Sequence, residues 1–276
     1  MTPKWFVQRY ETDGAINRLI DTLKELNIEY EVEERLMNES GVYGSYDDDD
    51  CVVVAGTINM CNHIIRSRGW VPGVYCNFQN FNCVTYYSHW HKYLLSSNYI
   101  MVPFMDLANR TDFLFSMYGV DDCIFIRPDS SRKVFTGQVL EKEEIDSFVN
   151  QMVDTCGKPL DETVIVVTTP KVIDYEWRVV VVNKKVVSGS QYHKDCDINI
   201  SPDCPQEALD LAQEIANDKW SPDFAYVLDI CLSNGKYYLL EPNSFSCSGL
   251  YDNDMKPIIE AINKVALAEW KDYNEV

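Results

Sequence analysis

Residues 226–249 read YVLDICLSNGKYYLLEPNSFSCSG, two apolar runs joined at Asn234-Gly235. Runs rich in Val, Leu, Ile and Tyr are strands buried on at least one face. Asn-Gly between two of them marks a hairpin turn. The first run nevertheless carries Asp229, and the second ends in Glu241-Pro242-Asn243. A carboxylate in such a strand is costly unless it is paired, hydrogen-bonded or bound to a metal. Because side chains alternate, the loop decides which groups meet. A two-residue Asn-Gly loop puts Asp229 and Glu241 on opposite faces; a three-residue loop with Gly235 left-handed puts them on one. Glu241 and Asn243 share a face either way. Asp, Glu and Asn on one sheet face supply the oxygen ligands a hard cation such as Mg²⁺ takes, with phosphate oxygens completing the shell. A solvated edge hairpin is the structural alternative.

Working outward, VVTTPKVIDYEWRVVVV (residues 166–182) places Glu176 and Arg178 on one face of a strand, with Trp177 and Val179 on the other. An arginine among valines needs an anionic partner. It is either held in an ion pair with Glu176 or a neighbour, or positioned to stabilise charge on a transferring phosphoryl group. Residues 124–137, IFIRPDSSRKVFTG, end a strand at Arg127 and continue into a loop with Ser130, Ser131, Arg132, Lys133 and Gly137. Cations beside a Ser- and Gly-containing turn suit phosphate oxygens, although the spacing matches neither the Walker A motif nor the kinase glycine loop. His89 and His91 in SHWHKY would share a face if extended. With four histidines in the chain and no third ligand nearby, a structural role is the better reading. No G-x-S-x-G elbow is present.

The net charge of −19 argues against nucleic acid or an anionic membrane as the main partner. No apolar run approaches the roughly 20 residues needed to span a bilayer, and the N-terminal residues lack a signal-peptide core, so the expected location is the cytoplasm. Ten scattered cysteines without a C-x-x-C pair read as buried free thiols, not a zinc or redox motif.

The first hundred residues alternate strand and helix. KWFVQRY and CVVVAGTI read as strands, and Ile16, Leu19, Ile20 and Leu23 share one helical face between them. This predicts a partial doubly wound α/β unit. Residues 60–90 suggest only loops and short elements. Beyond Arg110 come a short helix at TDFLFSMYG, the strand DCIFIRP and a loop returning into another strand. An amphipathic helix follows, with Ile145, Phe148, Val149 and Met152 inward, then the strand ETVIVVTTP. A hairpin turns near Asn183 and Lys184, and helices begin near Pro205 and at Met255.

In this order the motifs resemble the ATP-grasp superfamily, from about Asp106 to the C-terminus. The nearest likeness is to a clade associated with phages and bacteria in which arginine replaces a phosphate-binding lysine. The last two segments are also similar to the ribosomal-protein glutamate ligases, where an arginine strand precedes a D…E-x-N metal set. The resemblance implies an α/β (α+β) fold: an N-terminal α/β domain (1–105), then an N-lobe with the phosphate loop (106–170) and a C-lobe with the metal site (171–276), the two lobes sandwiching the nucleotide. It implies ATP as cosubstrate with one or two Mg²⁺ ions, Mn²⁺ being able to substitute, held by Asp229, Glu241 and Asn243. Nucleotide contacts would come from Arg127, Lys133, Thr136 and Gly137, from the hinge Val167, Thr168, Thr169 and Lys171, and from Glu176 and Arg178. Arg178 would lie near the γ-phosphate, and Lys133 would close over the phosphates; these two carry the catalysis. The implied reaction joins a carboxylate and an amine, on small molecules, peptides or proteins, through an acyl-phosphate. A kinase or a non-catalytic nucleotide-binding module on the same fold is the alternative. A phage source would put the protein in the host cytoplasm.

Overall fold

Short β-branched runs alternating with amphipathic helices open the chain. In the computed structural model, which describes residues 2–9, 14–34, 43–132, 134–195 and 197–275, these are β1 (Lys4–Gln8), α1 (Gly14–Glu25), β2 (Tyr30–Glu33), β3 (Cys51–Ala55), α2 (Ile58–Ser67) and β4 (Val71–Gly73). The strands pair in parallel in the order β2-β1-β3-β4. Buried on both faces, β3 reads as the continuous run CVVVA. One face, with Trp5, Val7 and Val53, packs on α1 through Ile16, Leu19, Ile20 and Leu23. The other, with Phe6, Val52 and Val54, packs on Met60, Cys61 and Ile64 of α2. Helices on both faces make this a doubly wound unit.

Residues 60–90 hold more regular structure than their sequence suggests. Helix α2 begins at a Thr57 cap whose hydroxyl accepts from the Met60 amide at 3.3 Å. Further on, α3 (Cys83–Trp90) buries Cys83, Tyr86, Tyr87 and Trp90. Tyrosine and β-branched residues favour strands intrinsically, and the burial of this one face overrides that preference. His89 therefore lies on a helix and His91 in the turn after it, with Nε2 2.9 Å from the Ser97 carbonyl; the extended spacing that would align the two is absent.

The chain divides into two units, Met1–Asn77 with Ile173–Val276, and Phe78–Val172. Taken by itself, the second contains α3, β5 (Tyr99–Pro103), α4 (Thr111–Tyr118), β6 (Cys123–Pro128), β7 (Gln138–Glu141), α5 (Ile145–Cys156) and β8 (Val164–Thr168). Its sheet is antiparallel in the order β5-β8-β6-β7. Ile124, Ile126, Ile165 and Val167 bury one side against Ile145 and Phe148 of α5, with Val149 and Met152 packed at the margin.

The first unit is completed by β9 (Tyr175–Val182), β10 (Lys185–Lys194), β11 (Asp197–Ser201), α6 (Gln206–Ala216), β12 (Ala225–Ser233), β13 (Lys236–Ser244) and α7 (Met255–Asn274). The five strands are antiparallel in the order β11-β10-β9-β12-β13. Asn183 and Lys184, both at positive φ, turn β9 into β10. Helix α7 joins the two sheets of this unit: Ile258, Ile259 and Ile262 share a core with Val180, Val182, Val227, Trp5 and α1. The described cysteines are free thiols, and among the described residues no helix is long and apolar enough to cross a membrane.

Two acids sit in this unit at a cost. Burial pushes the Asp223 carboxyl up to about 6, against hydrogen bonds from the Phe224 and Asn77 amides. Burial, then the charge of Asp223, pushes Glu269 up to about 7. The folded state thus binds protons that the unfolded chain, titrating near 4, has released. Stability must fall as pH rises from about 4 through 7. With half-buried Glu269 discounted for solvent screening, the pair contributes roughly 1–2 kcal/mol to this slope. Melting curves of wild type and Glu269→Gln between pH 5 and 8 check it: the variant should show the flatter profile and melt higher at pH 8.

Candidate functional site

The 226–249 hairpin positions the site, and it does so by an unexpected route. Asn234 (φ 50°) and Gly235 (φ 73°) form a two-residue loop closed by Ser233 opposite Lys236, the left-handed turn for which Asn-Gly is suited. Continued without interruption, that register sets Asp229 opposite Leu240. A bulge intervenes: Ile230 still pairs with Leu239, but Asp229 pairs with Glu241. The extra residue, Leu240, restores the parity that the loop alone would deny, and Asp229 and Glu241 share a face after all. On the other side of β12, Arg178 of β9 stands opposite Asp229. Arg178, Asp229 and Glu241 therefore form a row across three strands, with Asn243 two residues beyond Glu241.

The polar contacts in this row are close. Arg178 forks onto Asp229, Nε donating to Oδ1 and Nη2 to Oδ2, each at 2.8 Å. Its Nη1 donates to the Gly249 carbonyl at 2.9 Å. The amide of Asn243 donates to Asp229 Oδ2 at 3.0 Å and to Glu241 Oε1 at 2.9 Å. Arg178 is 8% exposed and Asp229 2%, so neither charge could stand there alone. Burial works against the guanidinium, but the charge and hydrogen bonds of Asp229 outweigh it and hold Arg178 firmly protonated.

Two tyrosines complete the seat. The rings of Tyr192 and Tyr251 stack with centroids 4.7 Å apart and planes 5° from parallel. The Arg178 guanidinium carbon lies 5.4 Å from the first ring centroid and 4.9 Å from the second, within cation–π range. Burial, then the charges of Asp229 and Glu176, pushes the Tyr192 phenol well above its ordinary range. It stays neutral and donates to Glu176, whose other oxygen is 3.4 Å from His193 Nδ1. Tyr251 is held at φ 46°, a conformation that costs a bulky residue about 1–3 kcal/mol and is tolerated where surrounding contacts fix it. Asn253 supplies such contacts, donating to the Leu250 carbonyl at 2.9 Å, Ser190 Oγ at 2.8 Å and the Arg178 carbonyl at 3.2 Å. Sequence reading missed Tyr192, Tyr251 and Asn253. Tyr251 directly follows the SFSCSGL segment, and no local pattern distinguishes the other two.

The donor set fits a hard divalent cation. Asp229 and Glu241 present carboxylate oxygens either side of the Asn243 carboxamide, whose N–H groups now lie between them. Turning that amide over would present its carbonyl oxygen instead. Among the described residues no group of three or more His, Cys, Asp and Glu could hold a metal ion. With only two carboxylates here, Asn243, water and phosphate oxygens would have to complete the shell, as suits Mg²⁺.

The candidate residues of the other unit lie on and around β6 and β8. Arg127 is half-buried at the end of β6, paired with Val166 of β8, and its charge lowers the carboxyl of Asp129, which burial raises. Gly137 passes so close that a Cβ there would meet Phe125 at 2.9 Å and Arg127 Cβ at 3.2 Å, so the loop needs glycine at this point. Ser131 is a peg: its amide donates to Asn82 Oδ1 at 3.1 Å and its hydroxyl to the Phe78 carbonyl at 2.9 Å. Thr136 is exposed, and Lys133 lies outside the described residues. Of the hinge residues, Val167 is buried in the core, and Thr168 donates its hydroxyl to the Asn98 carbonyl at 2.8 Å. Thr169 and Lys171 follow the strand, half-buried and exposed respectively.

Residues 113–261 match a family profile of the ATP-grasp domain, family 2 of the arginine-for-lysine clade. The chain belongs to this family. Solved ATP-grasp structures carry the same fold at low sequence identity. The ATP-grasp ligase PsnB, complexed with minimal precursor, Mg and ADP, superposes with a TM-score of 0.53 at 14% identity, covering 97% of this chain and 98% of that one. D-alanyl-alanine synthetase A from Vibrio cholerae gives 0.58 at 13% identity, with 98% and 97% covered. A RimK domain ATP-grasp protein from Sphaerobacter thermophilus gives 0.59 at 10% identity, with 97% and 98% covered. No curated protein matches the sequence. This ATP-grasp chain thus carries the fold over nearly its whole length.

Proposed function

We propose that this ATP-grasp protein is an ATP- and Mg²⁺-dependent ligase that joins a carboxylate to an amine through an acyl-phosphate. The observation that carries the reading is the row Arg178–Asp229–Glu241 with Asn243 beside it, an oxygen donor set next to a buried guanidinium. Family membership supports ATP as the cosubstrate, and the PsnB complex contains Mg and ADP.

The residues divide the work. Asp229, Glu241 and Asn243 hold the metal, which when bound neutralises phosphate charge and orients the phosphoryl group. Arg178 offers its guanidinium to the transferring γ-phosphoryl oxygens. Arg127, Lys133, Thr136 and Gly137 contact the phosphates, Lys133 closing over them, and Val167 to Lys171 border the adenine. Glu176 fixes Tyr192 and so the wall behind Arg178. A substrate carboxylate oxygen attacks the γ-phosphorus and ADP departs. The amine then attacks the acyl carbon, phosphate leaves, and the nitrogen loses a proton. Phosphoryl transfer of this kind needs positioning and charge neutralisation more than covalent help from the protein. The structural neighbours range from a ligase with a precursor peptide to a D-alanyl-alanine synthetase, so peptide and amino-acid substrates are both in scope.

Product analysis tests this. With ATP, Mg²⁺ and paired panels of amino acids and peptides, a productive pair should yield ADP, phosphate and an amide in equal amounts. ADP with a stable phosphorylated acceptor would make the protein a kinase. Nucleotide binding without ADP release across the panel would make it a binding module.

A further inference from the structure

The proposed metal ligand Asp229 is fully engaged without a metal. Both of its oxygens are bound by Arg178 at 2.8 Å, and Oδ2 also accepts from Asn243. A cation and the guanidinium therefore compete for one carboxylate. Arg178 is held independently of Asp229, by the Gly249 carbonyl and by the faces of Tyr192 and Tyr251. Losing the fork does not release Arg178 into solvent; it leaves a buried charge facing the site without an anion, which is unfavourable until one arrives.

From this, and resting on the metal-site reading above, we propose that Asp229 is exchanged between Arg178 and the divalent cation, with a phosphate group taking the place of Asp229 on Arg178. Metal and phosphate binding are thereby coupled: a cation alone must break the fork, and phosphate alone finds the guanidinium already occupied. The fork acts as an internal competitor that disfavours the metal until nucleotide is present. Tyr192 and Tyr251 are positioning residues that keep Arg178 in place through the exchange.

The test titrates the full-length protein with Mn²⁺ alone, reading free Mn²⁺ by electron paramagnetic resonance. Arg178→Lys keeps the charge but cannot make the fork, so it separates exchange from simple electrostatic repulsion. The expected result is Mn²⁺ binding at least about tenfold tighter in Arg178→Lys than in wild type, a coupling of ordinary size. The gain should vanish in Arg178→Lys/Asp229→Asn. Equal or weaker binding by Arg178→Lys overturns the exchange. A second measurement needs no variant: in protein labelled with ¹⁵N-arginine, the Arg178 Nε–H resonance should shift on adding Mg·ADP as its carboxylate partner is replaced. An unchanged resonance in protein that does bind Mg·ADP overturns the exchange and leaves the metal-site reading standing. Failure of wild type to bind Mg·ADP at all removes that reading as well.

Discussion

Replacing Glu241 by Gln is expected to lower ADP release by at least about 100-fold, the scale of losing one charge-stabilising group from an active site, while the fold survives. The reasoning separates charge from shape. Glu241 is half-buried and accepts a hydrogen bond from Asn243, which a glutamine carbonyl can also accept. The fold should therefore lose less than about 1 kcal/mol, or about 2–4 °C in melting temperature. What the substitution removes is one of the two carboxylate charges in the donor set. Undiminished ADP release would place the metal elsewhere.

Asp229→Asn should behave in the opposite way, as a defect of stability before function. Removing one member of a buried ion pair costs about 3–5 kcal/mol, because the remaining charge is stranded. Arg178, 8% exposed and bound by both oxygens of Asp229, is such a case. Melting without divalent cations should drop by roughly 10 °C. Arg178→Met/Asp229→Leu, which replaces the pair with apolar side chains, should lose far less than the single change, and the difference in a double-mutant cycle measures the pair. A loss under about 1 kcal/mol in Asp229→Asn would mean that Arg178 finds another anion.

Much of this site was legible because its chemistry lies in strands. Alternation placed Glu176 with Arg178 and Glu241 with Asn243, and Asn234-Gly235 located the turn. The meeting of Asp229 with Glu241 was not legible from the loop, whose two-residue geometry gives the wrong parity. The correction comes from Leu240, a bulge in a run of ordinary strand residues with no glycine to announce it. The partner of Arg178 was open for a related reason: strand order is set by tertiary pairing, and only the β9–β12 register puts Asp229 opposite it. Tyr192 and Tyr251 come together from separate segments and have no local signature. Helices α2 and α3 went unread although Cys83, Tyr86, Tyr87 and Trp90 stand at helical spacing. Their aromatic and β-branched residues favour strands, and the burial that decides for helix is a property of the whole unit.

The most direct test of the central claim is thermal melting with ADP, with and without Mg²⁺, on wild type and Glu241→Gln. At a hundred times its dissociation constant a ligand stabilises the native state by about 2.7 kcal/mol, a shift easily seen. A Mg²⁺-dependent rise in wild type that is lost in Glu241→Gln is the predicted result. A rise that ignores Mg²⁺, or that persists undiminished in the variant, would contradict a metal site built on β12 and β13.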